Sequence, residues 1–319
     1  MANLGYIQLI RKCNQACLFC SNPDNEKIKN IKEVYKNIDK LISLGYHGVI
    51  LTGGEPTLYP HLKKAIKYAR KKKIDVRLIT NGQKICDRAY LKELKDVGLN
   101  LIHISLYSYK PKVQAYLTQN QESFKNILKS INNAIKLNMV VNINTVINAY
   151  NANHLDKNII FLVNKFPQIN HFVWNNLDPY MNRASKNKHT IAKLESFAKS
   201  LYKAMKYLEA KNKTFRVERV PLCFLKEYGW VSTEARKIVK KEERLMYFLD
   251  EKGLVRQKDW HKNLDNPYSF YKKSEGCKKC VLERICPGLY SGGKYYSLKE
   301  LKPVTDIALK DYIINKINE

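Results

Sequence analysis

The chain has 319 residues and carries 57 Lys and Arg against 29 Asp and Glu, which gives a formal net charge of +28 at pH 7. With 45% hydrophobic and 27% charged residues, the composition is ordinary for a soluble globular protein with a sizeable core. No apolar run is long enough to span a membrane, and the N-terminus lacks the pattern of a signal peptide, so we expect a cytoplasmic protein. Eight cysteines in that reducing compartment indicate metal or redox chemistry rather than a disulfide framework.

The first two thirds of the chain alternate short apolar runs with longer amphipathic segments. The predicted strands are 4–10, 48–54, 75–82, 101–108, 140–148 and 171–177. The predicted helices are 31–45, 61–73, 88–98, about 121–137, roughly 155–166 and about 190–211. This rhythm predicts an α/β fold with a parallel sheet, and six βα units favour an open partial (β/α)6 barrel. In such folds the chemistry collects at the C-terminal ends of the strands.

The pattern changes after residue 212, so the sequence predicts a core domain over 1–212 and a small extension over 213–319. The stretch "TFRVERVPLC" could form one more strand, and "RLMYFLDEKGLVRQKDW" is typical of a hairpin that turns at "DEKG". A cysteine-rich segment follows, and a helix near 304–318 ends the chain.

Three cysteines follow directly on the first predicted strand. Cys13, Cys17 and Cys20 have the spacing C-x3-C-x2-C. Three thiolates can hold three irons of a 4Fe–4S cluster and leave the fourth iron open for chemistry. A zinc knuckle completed by a distant His, or unrelated buried cysteines, would also fit this spacing.

The motif "LTGGEP" ends the second predicted strand, and with the cysteine spacing it resembles the radical S-adenosylmethionine (radical SAM) superfamily. The glycines allow close approach of backbone to a ligand. The resemblance covers roughly residues 4–210 and includes residues of the cysteine loop, of the glycine motif and of the third to sixth predicted strands. These residues are Phe19, Gly53, Gly54, Glu55, Thr80, Asn81, Ser105, Asn144 and Asn175.

The resemblance implies that S-adenosylmethionine fills the fourth iron's open position and, after one-electron reduction, yields a 5′-deoxyadenosyl radical that abstracts a hydrogen atom. It implies that Gly53, Gly54 and Glu55 bind the methionine amino group, with Phe19 also near the cofactor. Thr80, Ser105 and Asn144 are then expected to contact ribose and carboxylate, although capping of strand ends would explain each of them too. An electron donor such as flavodoxin or ferredoxin would be needed.

A second set, Cys277, Cys280 and Cys286, has the spacing C-x2-C-x5-C. It resembles a shortened SPASM/Twitch extension, which implies one auxiliary iron–sulfur cluster, of the 4Fe–4S kind; a zinc site is the alternative. Cys223 stands apart and has three interpretations: a fourth auxiliary ligand, a free thiol that donates a hydrogen atom, or a small buried side chain. Cys86 is interpreted as a buried structural residue.

Length, layout and cysteine pattern together resemble the radical SAM peptide epimerases of the YydG (EpeE) type. The resemblance implies conversion of L-residues to D-residues in a ribosomally made precursor peptide. The radical removes a Cα hydrogen, and a cysteine thiol returns a hydrogen on the other face; Cys223 matches that catalytic cysteine. This interpretation leaves the fourth auxiliary ligand unidentified.

Two other functions compete with epimerisation. A radical SAM thioether synthase would join a cysteine sulfur to Cα in a precursor peptide. An RNA-modifying or RNA-binding protein would explain the positive charge, but Lys-rich solvated helix faces explain it as well, and the sequence has no KH or RRM signature. The charge would also suit an acidic leader segment. We therefore expect a peptide partner, no membrane association and no nucleic-acid partner.

Overall fold

The structure is a computed structural model that describes residues 4–22, 27–180, 182–241, 245–249, 254–256 and 270–319, with the backbone alone at 254–256. The predicted hairpin turn at 250–253 lies outside the described residues. Within the described residues, no helix combines the length and the apolarity that crossing a membrane would require.

The predicted strands are all present, and each begins at the predicted residue and ends at most three residues earlier than expected. They are β1 (Leu4–Ile10), β2 (Gly48–Gly53), β3 (Asp75–Thr80), β4 (Leu101–Ser105), β5 (Val140–Ile147) and β6 (His171–Asn176). The stretch after residue 213 forms β7 (Thr214–Glu218). Most residues of β1 and β2 are buried, because side chains on both faces of a parallel strand are covered.

Helices fill the intervals between these strands, as predicted from their amphipathic pattern. They are α1 (Ile31–Ser43), α2 (Leu62–Lys71), α3 (Arg88–Asp96), α4 (Pro111–Thr118), α5 (Ser123–Lys136), α6 (Leu155–Lys165), α7 (Asn182–Lys186), α8 (Leu194–Ala210), α9 (Leu222–Leu225), α10 (Thr233–Lys240) and α11 (Ile307–Asn318). Helix α1 illustrates why these segments form helices. The Asn30 side chain caps its N-terminus, and Val34, Ile38 and Leu41 form its buried apolar face. The short helices α4, α7, α9 and α10 are not among the predicted helices.

The chain divides into two compact units. The first unit comprises 1–106, 110–143 and 244–265, and the second comprises 107–109, 144–243 and 266–319. The predicted boundary between residues 212 and 213 falls inside the second unit, and that division of domains stays a prediction.

In the first unit, β1 lies at the centre of the sheet. It pairs in parallel with β2 on one side and with β8 (Met246–Leu249) on the other. Strands β3 and β4 continue the parallel order beyond β2, and β9 (Leu254–Arg256) pairs antiparallel with β8. Residues assigned to the extension by sequence therefore join the core sheet beside the strand that precedes the first cysteines.

In the second unit, β6 and β7 pair in parallel, and a small antiparallel pair is formed by β10 (Tyr271–Lys272) and β11 (Leu289–Tyr290). The cysteine-rich segment lies between β10 and β11. Helix α11 buries Ile313 and Ile317, and an added Cβ on Gly229 would lie 2.6 Å from the Ile313 side chain, so the last helix packs closely on this unit.

Candidate functional site

The loop after β1 holds Cys13, Cys17 and Cys20, all half-buried. Backbone hydrogen bonds fix this loop on the end of α4: the Ala16 N–H donates to the Thr118 carbonyl, and the Leu18 N–H donates to the Leu117 carbonyl. The helix that sequence reasoning missed therefore anchors the first cysteine set.

The Gly53–Gly54–Glu55 motif lies directly beside the residues that lead into Cys13. The Gly54 N–H donates to the Ile10 carbonyl at 2.6 Å, and the Glu55 N–H donates to the Lys12 carbonyl at 2.9 Å. A Cβ added to Gly54 would lie 2.0 Å from the Arg11 carbonyl oxygen, and one added to Gly53 would lie 2.2 Å from that of Ile10. Only glycine permits these backbones to come so close.

The Glu55 carboxylate is fully buried and is bonded by the protein itself. Its Oε1 accepts from the Thr57 N–H, the Thr57 hydroxyl and the Thr80 hydroxyl at 3.0, 2.6 and 2.7 Å. Its Oε2 accepts from the Asn81 N–H at 2.7 Å. Burial raises the pKa of Glu55, while these hydrogen bonds oppose the rise. These four donors occupy the hydrogen-bond acceptor sites of the carboxylate. The Glu55 side chain therefore links the end of β2 to the end of β3.

Asn81 connects this arrangement to the first cysteine. Its Nδ2 donates to the Asn14 side-chain oxygen at 2.7 Å and to the Cys13 Sγ at 3.6 Å. Cys13 also accepts the Gln15 backbone N–H. Burial raises the pKa of the Cys13 thiol to about 11, with smaller rises from Glu55 and Cys20. The thiol is therefore protonated at neutral pH, and binding of a metal cluster would release its proton.

The other residues predicted near the cofactor are placed as follows. Phe19 is 6% exposed, and Thr80 is engaged with Glu55. Ser105 is half-buried and is the last residue of β4. Asn144 belongs to the second unit, where its Oδ1 has no hydrogen-bond partner among the described residues. Their roles toward S-adenosylmethionine stay predictions.

A cavity in the second unit brings four cysteines together. Its lining includes Cys223, Cys277, Cys280 and Cys286, with Leu282 among the apolar residues around them. Cys223 lies on the short helix α9, far from the other three along the chain. The structure therefore places Cys223 with the auxiliary set, the arrangement expected of a fourth ligand.

Hydrogen-bond donors point at the sulfur atoms of this cavity. The Val304 N–H donates to the Cys280 Sγ at 3.3 Å, and the Lys302 N–H donates to Cys223. Cys286 accepts from the backbone N–H groups of Leu222 and Gly288. N–H donors stabilise the charge on cluster-bound thiolates, so this environment suits four ligands.

The cavity cysteines are half-buried, and neighbouring thiols affect the pKa of Cys223. Burial raises the pKa of Cys223 to about 11. The neighbouring thiols of Cys286, Cys277 and Cys280 raise this pKa further, whereas the hydrogen bond from the Lys302 N–H lowers it. Burial also raises the pKa of Cys286. Among the described residues, no three His, Cys, Asp or Glu side chains converge as the ligands of a single ion would. What the four cysteines share is the lining of one cavity.

The remaining cysteine lies outside both sets. Cys86 is half-buried and donates its S–H to the Gln83 carbonyl at 3.0 Å, in agreement with a structural role.

Comparison with known proteins gives sequence matches that cover less than half of the chain. Residues 7–161 match the radical SAM superfamily. GTP 3′,8-cyclase of Nautilia profundicola is 31% identical over 149 residues, which are 44% of this chain and 46% of that protein. The probable GTP 3′,8-cyclase of Thermococcus kodakarensis is 31% identical over 145 residues, with the same shares. The chain spans about half the length of the curated relatives it matches.

Similarity to solved structures extends much further along the chain. Native anSMEcpe with bound AdoMet and Cp18Cys peptide has a TM-score of 0.65 at 17% identity, covering 99% of this chain and 97% of that chain. Streptococcus suis SuiB bound to precursor peptide SuiA has a TM-score of 0.64 at 16% identity, covering 92% and 76%. These likenesses show the fold class, a parallel α/β partial barrel, which the sequence predicted.

The superfamily match includes the first cysteine loop and the glycine motif, and the superfamily implies S-adenosylmethionine and a 4Fe–4S cluster as cofactors. Three half-buried thiols in one loop fit those cofactors, whereas the space beside Gly53 and Gly54 is taken by the backbone carbonyls of Ile10 and Arg11. The match to the radical SAM superfamily thus covers residues 7–161 and contains both motifs of the first site.

Proposed function

We propose that this chain is a radical SAM enzyme that removes a Cα hydrogen from a residue of a ribosomally made peptide. The observation that carries the proposal is the fold likeness to anSMEcpe, which spans 99% of this chain and includes the C-terminal extension. That structure and the SuiB structure each contain a peptide. The relatives named GTP 3′,8-cyclase match only 44% of the chain, so they say less about the substrate.

The first site would hold the reactive cofactors. Cys13, Cys17 and Cys20 are the proposed cluster ligands, and Gly53 and Gly54 let the end of β2 approach the segment that leads into them. When bound, the cluster and S-adenosylmethionine supply the radical that abstracts hydrogen. The protein's own part is to fix the cysteine loop on α4 and to hold the β2 and β3 ends together through Glu55.

The second site would hold an auxiliary 4Fe–4S cluster through Cys223, Cys277, Cys280 and Cys286. Support comes from their shared cavity and from the N–H donors at Cys223, Cys280 and Cys286. A cluster with four protein ligands offers no open iron to a substrate, which suits electron transfer.

The role of Cys223 distinguishes the two peptide products, a D-residue and a sulfur-to-Cα thioether. Epimerisation needs a free thiol that returns a hydrogen atom, whereas joining a peptide sulfur to Cα is a net oxidation and needs an electron acceptor. The four-cysteine cavity supports the second product, because a cluster bound there would use Cys223 as a ligand. Epimerisation with Cys223 as donor stays the alternative, supported by the sequence resemblance alone.

Analysis of the peptide product separates these outcomes. The reconstituted enzyme is incubated in D2O with the peptide encoded next to its gene, S-adenosylmethionine and a reductant, and the product is examined by mass spectrometry and chiral amino-acid analysis. We expect a product that has lost two hydrogen atoms. A D-residue carrying one solvent deuteron would establish epimerisation instead. An unmodified peptide, with 5′-deoxyadenosine still formed, would contradict a peptide substrate of that sequence.

Replacement of Cys223 tests its place in the auxiliary site, with Cys86→Ala as the matched cysteine control. We expect Cys223→Ala and Cys277→Ala each to lower the iron content toward about half, because one of two four-iron clusters loses a ligand. The measurements are iron content and the EPR spectrum of the reduced protein. Unchanged iron and EPR in Cys223→Ala, with loss of D-residues, would establish Cys223 as a hydrogen donor.

A further inference from the structure

One side chain reaches a sulfur of the first cysteine set from a different strand. Asn81 follows β3, is 9% exposed, and directs its Nδ2 at the Cys13 Sγ across 3.6 Å. Cys17 and Cys20 have contacts of another kind: each is placed to donate its S–H to an oxygen, of Gln15 and of Asn22. Those contacts require protonated thiols, so a cluster-bound thiolate could not keep them, whereas the bond from Asn81 would persist.

The orientation of the Asn81 amide is fixed by a backbone group. The Asn81 Oδ1 accepts the Gln83 N–H at 3.0 Å. A flipped amide would set an NH2 group against that N–H, with two donors facing each other, so the oxygen must occupy this position. The Nδ2 is therefore the atom that faces Cys13, and its second bond, to the Asn14 oxygen, holds it there.

The position of Asn81 is itself held from the neighbouring strand. Its backbone N–H donates to the Glu55 carboxylate at 2.7 Å. The same carboxylate accepts from Thr80, the last residue of β3. Glu55 thus fixes the backbone from which the Asn81 side chain reaches the sulfur.

We propose that Asn81 is a positioning and tuning residue of the first cluster: its side-chain N–H donates to the Cys13 thiolate and raises the reduction potential of the cluster. Reduction adds negative charge to the cluster and its sulfurs, and a donor N–H stabilises that charge more in the reduced state than in the oxidised state. This inference rests on the proposed placement of the cluster at Cys13, Cys17 and Cys20.

A redox titration monitored by EPR measures the effect in the full-length reconstituted protein. We expect Asn81→Ala to make reduction about tenfold less favourable, which is a shift of about 59 mV to more negative potential for one electron. Asn81→Asp keeps the shape and the acceptor for Gln83 but turns a carboxylate oxygen toward the sulfur, so its potential should fall further. Asn126→Ala removes a nearby amide that bonds only to Gln83 among the described contacts, and it should titrate like the parent.

A second measurement detects the contact between Asn81 and the cluster in the parent protein itself. In the parent protein labelled with side-chain ¹⁵N asparagine, pulsed EPR should detect a weak nitrogen coupling to the reduced cluster that is lost in Asn81→Asp. Unchanged potentials in both Asn81 variants, or an unlabelled spectrum identical to the labelled one, would overturn the inference. The placement of the cluster is tested separately, because Cys13→Ala would lose the cluster iron whatever the role of Asn81.

Discussion

At the scale of single residues, a buried lysine lies beside the segment that leads into the first cysteines. Lys29 is 1% exposed, its Nζ donates to the Asn37 side-chain oxygen at 3.2 Å, and its N–H donates to the Leu9 carbonyl. Burial lowers the pKa of Lys29 to about 7; Arg11 also lowers it, and Glu33 opposes the fall. The fold therefore favours the neutral amine.

This lysine predicts a specific pH dependence of stability. Between the folded value of about 7 and the unfolded value of 10.5, the unfolded chain binds the extra proton, so the free energy of unfolding should rise with pH by up to about 1.4 kcal/mol per unit. Below pH 7 the cost of burying the charge is fully present. Lys29→Met should remove this slope and should be more stable than the parent at low pH.

Urea unfolding of the parent and of Lys29→Met at several pH values measures the difference directly. Taking the difference between the two proteins cancels the titration of all other groups that behave alike in both. A difference that stays constant from pH 6 to pH 10 would show that Lys29 is charged in the folded protein.

At the scale of elements, the strand starts could be predicted from sequence, but the contacts between strand ends could not. Runs of Val, Ile and Leu define β1 to β6 because such residues fit a covered sheet. The pattern does not reveal that Glu55 is saturated by Thr57, Thr80 and Asn81, since those bonds join two strand ends in space. Helix α4 was missed because its polar sequence lacks a clear apolar stripe, although Pro111 at its first position is a usual start signal.

The close contact between Gly54 and the segment that follows β1 leads to a prediction for Gly54. Gly54→Ala should push the Arg11 and Lys12 carbonyls away, cost about 1–3 kcal/mol of stability, and lower the iron content because Cys13 follows directly. Gly276→Ala is the matched control, since its added Cβ would meet nothing nearer than 3.7 Å. Iron content and urea midpoints of the two variants measure the contrast. Equal iron in both variants would show that the close approach is not needed for the cluster.

At the scale of the whole molecule, the eight cysteines indicate metal or redox chemistry. The composition does not reveal which of these cysteines lie together. Cys223 is distant in sequence from Cys277, Cys280 and Cys286, and only the tertiary fold brings them to one cavity. Spacing alone left three roles open for Cys223. The net charge of +28 stays compatible with an acidic peptide partner, whose binding would weaken as salt screens the attraction.

The hydrogen bonds at the auxiliary sulfurs have a consequence for how this chain can vary during evolution. Lys302 and Val304 reach Cys223 and Cys280 through backbone N–H groups, not through their side chains. Any residue except proline can supply that N–H. Substitutions at either position other than proline would therefore keep the N–H donors to the two sulfurs, so related chains can differ there without losing these hydrogen bonds.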